Sequence, residues 1–187
     1  MVAYMRVLRK SMLVASLGVL CSWGPLGYAA VETYDMKVAF LYNFAKFVEW
    51  PDTALPPDQE AFTICVQGEE RMQQAADRIL QDKQVQGRPV SVRLVRAQEE
   101  APLCQVLFVD ATVGAQAERV GGLSKTFPVL TVGEADRFLQ WGGIIKLFVE
   151  DGRLRFEISP QAAARAQLRI SSKLLKLGRI VESPNGD

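Results

Sequence analysis

Three observations predict an α/β fold: a single-domain three-layer sandwich on a mixed, mostly parallel sheet with a C-terminal hairpin. Segments of strand character alternate with segments of helical period from Tyr34 to Val181. The run Leu103 to Asp110 is almost continuously apolar, as expected of a strand covered on both faces. Asp151-Gly152 separates two apolar runs, which is among the strongest hairpin signals a sequence offers.

Taken in order, Tyr34 to Val48 reads as a helix. Val38, Leu41, Ala45 and Val48 keep the helical period, and Phe40, Phe44 and Phe47 widen its apolar face. Trp50-Pro51 ends it, because proline drives the residue before it out of the α region. A loop around Pro56-Pro57 leads to a strand over Ala61 to Gln67. A helix over Glu69 to Gln81 follows, with Met72, Ala76, Ile79 and Leu80 inward. Beyond Gly87, Val90, Val92 and Leu94 alternate with Ser91 and Arg93, the period of a strand with one wet face. After the buried strand at Leu103 to Asp110, Thr112 is expected to cap a short helix reaching Val120, stopped by Gly121-Gly122. Val129 to Val132 reads as a strand, and Glu134 to Trp141 as a short helix ended by Gly142-Gly143. The hairpin strands are Ile144 to Val149 and Leu154 to Ile158. Pro160 to Ala166 starts a helix, and Ser171 or Ser172 caps a last one, Lys173 to Val181.

The front of the chain has the three parts of a secretory leader. Arg6, Arg9 and Lys10 form a basic start, Met12 to Cys21 an apolar stretch, and Gly27-Tyr28-Ala29 a small-residue cleavage site. Residues 1–29 are therefore expected to be a signal peptide cleaved after Ala29 or Ala30, leaving an α/β domain over 30–182 and a disordered tail over 183–187. The apolar stretch is shorter than the roughly 18–20 residues that cross a bilayer. Leu20 stands before Cys21, where a lipid-attachment signal wants a small residue. The chain has 22 basic and 21 acidic residues, and the leader holds three of the basic ones and no acid. The mature protein thus carries 19 against 21, a net of −2, with no global field for nucleic acid.

Cys65 and Cys104 survive cleavage, each in an apolar, strand-like context. In an oxidising compartment such a pair is most simply a disulfide, with two buried free thiols as the alternative. The sequence contains no histidine. Serine and cysteine triads with a histidine base, and histidine-containing zinc sites, are excluded. The paired glycines follow helical segments, whereas a dinucleotide loop precedes one, so they read as helix stops. Asp110 ends a buried strand, where α/β sheets often place functional carboxylates; a capping or turn role competes with that reading. Ser171-Ser172-Lys173 reads as a helix cap rather than a Ser-Lys nucleophile, since Lys173 lies among Arg169, Lys176 and Arg179. Arg165, Arg169, Lys173, Lys176 and Arg179 would share one face of a continuous helix, and would split into two patches if it broke near Arg169. Such a face is either merely solvated or a dock for an acidic partner.

Two long stretches resemble the YfiR/HmsC-type periplasmic regulators. One is Tyr34-Asp35-Met36-Lys37-Val38-Ala39-Phe40-Leu41-Tyr42-Asn43-Phe44-Ala45-Lys46-Phe47-Val48-Glu49-Trp50-Pro51. The other runs from Gly142-Gly143-Ile144 through Asp151-Gly152-Arg153-Leu154-Arg155-Phe156-Glu157-Ile158 to Ser171-Ser172-Lys173-Leu174-Leu175-Lys176-Leu177. Cys65 and Cys104 fall where the family has a cysteine pair. Gln167 replaces a common glycine and Gly178 a usual alanine, and a second cysteine pair of many relatives is missing. The resemblance implies a non-enzymatic periplasmic repressor without cofactor or metal. Its partner would be the periplasmic sensor domain of an inner-membrane diguanylate cyclase, so that cyclic di-GMP and biofilm formation fall. Partner- or ligand-binding residues would be Phe156, Glu157, Ile158, Arg169, Lys173 and Lys176. Phe156 and Ile158 are assigned to the core or an apolar anchor, and the three cations to a polar rim. A periplasmic small-ligand module serving another receptor or an envelope assembly is the competing reading; a homodimer and a bound small ligand stay open under either.

Overall fold

A computed structural model of the chain describes residues 26–96 and 98–182. The basic and apolar parts of the expected leader and the expected tail over 183–187 lie outside the described residues. In chain order the elements are α1 (Leu26–Lys46), β1 (Val48–Glu49), β2 (Phe62–Gln67), α2 (Glu70–Leu80), β3 (Gln84–Val85), β4 (Arg88–Leu94), β5 (Val106–Val109) and α3 (Ala115–Gly122). They continue with β6 (Leu130–Gly133), β7 (Ile145–Glu150), β8 (Arg153–Ile158), α4 (Pro160–Arg165), β9 (Arg169–Ile170), α5 (Ser172–Leu175) and β10 (Arg179–Ile180).

Eight strands form one sheet in the order β10-β8-β7-β6-β5-β2-β4-β3, and β1 pairs with β9 separately. The five strands β4, β2, β5, β6 and β7 run parallel; β3 and β8 join them antiparallel, and β10 lies parallel to β8. The α/β class, the mostly parallel sheet and the C-terminal hairpin are therefore as expected. Alternate residues of the central strands feed two cores, as the period of two requires. Ile64, Val66, Val106, Phe108, Leu130 and Val132 pack with α1 and α2 residues such as Val38, Leu41, Phe44, Met72 and Leu80. Cys65, Leu107 and Val109 pack on the other face with Ala117, Val120, Leu123 and Phe138. The Asp151-Gly152 turn has φ of 52° and 68°, the left-handed pair a two-residue hairpin demands.

Several expectations are corrected. The cap after β5 is Asp110, not Thr112: its Oδ1 accepts the Thr112 amide at 2.8 Å and starts a 3₁₀ turn over Ala111–Val113. α3 begins only after Gly114. Gly121-Gly122 does not stop α3 but lies within it. A Cβ on Gly121 would come within 3.1 Å of Trp141 Cβ and 3.3 Å of the Gly143 amide, so close packing sets this glycine. Glu134 to Trp141 forms turns rather than a helix. The Phe138 ring lies within 2.6 Å of where a Gly133 Cβ would be and 2.3 Å of where a Gly143 Cβ would be. Plugging that slot, and tying Glu134 to Lys37 at 2.6 Å, decides the path of the chain. The last helix is one turn, Ser172–Leu175, and residues 179–180 leave it to join the sheet as β10. Of the two arrangements open to the basic series, the continuous helix face is therefore not formed: Arg165, Arg169, Lys173 and Arg179 fall in α4, β9, α5 and β10, and Lys176 lies just past α5.

Candidate functional site: an aromatic groove

Phe40, Asn43 and Phe44 lie at the i, i+3 and i+4 positions of α1 and so share one stripe of that helix, which Phe47 continues in the turn just past its end. The buried part of the stripe, Phe44, anchors α1 on the sheet; Phe40 and Phe47 are only half-buried. Together with Leu154, Arg155 and Phe156 of β8 and Leu174 and Leu177 of the C-terminal segment, they line a groove of about 360 Å³. Three rings build its floor. Phe156 meets Phe44 at 5.0 Å and Phe40 at 6.0 Å between centroids, and Phe40 meets Phe44 at 5.7 Å, all edge to face. That is the arrangement aromatic quadrupoles favour.

The C-terminal wall is tied to the end of α1 and to the core. Ser171 Oγ accepts the Lys173 amide at 3.3 Å, so the cap reading of this serine describes what it does. The Ser171 amide bonds the Phe47 carbonyl at 2.9 Å, and Leu174 is 2% exposed. Leu177 stands 73% exposed at the mouth. Gly178 lies against Phe156, with 2.3 Å between the position of a Cβ and the ring's Cε2.

The structure brings some of the expected site residues together and separates others. Phe156 lines the groove and is 7% exposed. Ile158 is fully buried, paired with Ile145, and belongs to the core. Glu157 is taken up in ion pairs with Lys146 at 2.9 Å and Arg179 at 3.2 Å, and Arg179 also reaches Glu150 at 3.0 Å. Arg169 is bound to Glu49 across β9 and β1, its Nε 3.0 Å from Oε2. Lys173 and Lys176 are exposed and have no ion pair among the described residues. Cys65 and Cys104 form a disulfide with 5.8 Å between Cα atoms, in the opposite core. It ties β2 to the crossover that enters β5.

Of the groove residues, sequence reasoning singled out Phe156 alone and missed the α1 phenylalanines Phe40 and Phe44, Asn43, Phe47, Leu154, Arg155, Leu174 and Leu177. The available signal was an excess: three phenylalanines beside an aliphatic stripe are more than one helix needs to dock on a sheet. A second, more polar crevice of about 310 Å³ lies at the carboxyl ends of β2 and β4, where Gln67 Nε2 donates to Gln116 Oε1 at 2.9 Å. Among the described residues no cluster of three metal-ligating side chains occurs, and no helix is long and apolar enough to cross a membrane.

The fold and groove define a class: single α/β domains with a parallel central sheet whose apolar concavity offers shape and rings, its lining polar only at Asn43 and Arg155. The chain belongs to the YfiR/HmsC-like family, whose pattern matches residues 34–179 and so takes in every wall of the groove. No curated protein matches the chain. Membership supports, in general terms, a periplasmic regulator of a diguanylate cyclase.

Proposed function

We propose that this protein is a non-enzymatic regulator, exported to the periplasm by a leader cleaved after Ala29 or Ala30. There it binds the periplasmic sensor domain of an inner-membrane diguanylate cyclase and represses it, lowering cyclic di-GMP and biofilm formation. The observation that carries this reading is the family match over 34–179, which spans both the domain and its aromatic groove. A repressor must bind the inactive state of its receptor more tightly than the active one, since equal affinity shifts nothing. A preformed groove with aromatic walls, Phe40 and Phe47 among them half-buried, suits that task, because burying apolar surface in one receptor state and not the other supplies the difference.

Two measurements test the reading. Capture of the tagged protein from solubilised envelopes should recover a membrane diguanylate cyclase. Deleting the gene should raise cyclic di-GMP, and restoring it should bring the level down. A deletion that leaves cyclic di-GMP unaltered removes the cyclase assignment. The groove's volume also lies within the range of small-molecule sites, roughly 300–1,000 Å³. A small-ligand module serving another receptor would then take its place.

A further inference from the structure

The crevice at the carboxyl ends of β2 and β4 lies where the winding of the sheet leaves a gap. The parallel strands stand in the order β4-β2-β5-β6-β7, so the first of them in the chain lies between the second and the third. From β2 the chain crosses to the face of α2, whose Met72, Ala76 and Leu80 enter the first core. From β5 it crosses to the opposite face, where Ala117 and Val120 of α3 enter the second. The two connections part, and open α/β sheets take their ligands at the strand ends between such connections. Gln67 and Gly68 follow β2 into this gap, Val113 and Gln116 come from beyond β5, and Leu94, Val95 and Arg96 end β4 there. The space, about 310 Å³, is at the low end of the range for small-molecule sites.

Position alone names no ligand; the side chains do. Gln67 is 5% exposed, yet its amide has one bond to the protein, Nε2 to Gln116 Oε1. Neither side-chain amide makes another hydrogen bond among the described residues. Gln67 Oε1 and the remaining N–H groups of both amides are therefore open to a ligand that can donate and accept together. At the mouth, Arg96 and Glu70 offset each other at 3.5 Å, and both are largely exposed, so neither sign of charge is favoured. Leu94, Val95 and Val113 supply apolar wall. Gly68 keeps part of the lining bare: its φ is 147°, and a Cβ there would lie 2.4 Å from Asp110 Cβ. A charged ligand gains little from such a lining, and a purely apolar one leaves the Gln67 amide unmatched. We infer that the crevice is a ligand site for a small neutral molecule with an amide edge, N–H beside C=O, on a flat apolar body. Carboxamides, lactams and pyrimidine bases have that edge, and a glutamine amide matches paired donor and acceptor atoms with two hydrogen bonds, as it does on adenine. β7, β6 and β5 stand between β2 and the groove wall β8, so this site is separate from the groove and does not depend on the cyclase reading.

The test titrates the exported protein, labelled with nitrogen-15, with benzamide, uracil and benzoate, following the side-chain amide resonances of Gln67 and Gln116. Benzamide and uracil should move both resonances saturably. Benzoate has the same ring as benzamide but a charged, donor-free edge, and should bind at least about tenfold more weakly. Gln116 is exposed, so Gln116→Ala should melt as the parent does while weakening benzamide by about fivefold or more. Arg96→Ala should change benzamide affinity by less than about twofold, since a rim charge contributes little to holding a neutral ligand. Four results overturn the inference: no saturable movement with benzamide or uracil, benzoate binding as tightly as benzamide, an unchanged affinity in Gln116→Ala, or a large loss in Arg96→Ala. Movement confined to the ring resonances of Phe40, Phe44 and Phe156 overturns it as well, by placing the probe in the groove.

Discussion

A methyl group on residue 178 would lie 2.3 Å from Cε2 of Phe156, well inside contact distance. With glycine at 178, the Phe156 ring settles over a bare backbone. Gly178→Ala should therefore push that ring, and with it the edge-to-face stack on Phe44, toward the groove. Overpacking of this kind costs about 1–3 kcal/mol. The melting temperature should fall, and the ring resonances of Phe40, Phe44 and Phe156 should shift together in a nuclear magnetic resonance spectrum; unmoved resonances would refute the claim. A second residue sets a pH dependence. The Tyr34 hydroxyl donates to Glu69 Oε2 at 2.6 Å, and this bond, with burial and the Glu69 charge, pushes the phenol up to about 12 from 10. A raised folded value means that the proton is held more tightly in the native state. The stabilisation is complete below pH 10 and is lost as pH rises through about 12. Denaturant titrations across that window should show Tyr34→Phe losing less stability with pH than the parent. Parallel curves would refute the linkage.

Among the elements, the Cys65–Cys104 bridge closes a loop with a sequence separation of 39. Constraining the unfolded chain over such a loop is worth about 4 kcal/mol in the chain-entropy account. Because both sulfurs sit in the core opposite the groove, reduction should lower the melting temperature while capture of the membrane partner at low temperature is kept. Loss of binding with an unchanged melt would make the bridge a switch instead. The elements also show what sequence patterns can and cannot carry. The Asp-Gly hairpin, the alternating β4 and the doubly covered β5 were legible because each has a local period or turn chemistry of its own. The short strands β1, β3, β9 and β10 have only two residues apiece, too few for any period, and are made by their partners. Leu174, Leu177 and Val181 keep a helical spacing, yet the chain turns away after Leu175 and β10 pairs with β8. For the site, Phe156 was legible through the resemblance. The α1 wall was not, since an aromatic stripe on a docking helix looks the same whether its outer edge is covered or open.

At the scale of the molecule, a net charge near zero leaves the apolar groove, rather than a global field, as the distinctive feature of this surface. The chain's 22 basic and 21 acidic side chains nearly cancel. Global charge therefore says little about what this surface attracts, and burial on the two sheet faces says more about where it can act. The groove's hairpin wall has one further property. β10 covers β8 only at Glu157 and Ile158, so among the described residues the outer edge of β8 is open from Arg153 to Phe156. An open edge is a template for strand addition, and the commonest strand on offer in a concentrated solution is the same strand of another copy. Two copies meeting there antiparallel in the register centred on Leu154 would set Arg153 and Arg155 of one against Arg155 and Arg153 of the other, on the same face. That juxtaposition is repulsive. In that register the two arginines act as gatekeepers against self-recruitment, and they do so without the proline or bulge that edge strands more often use.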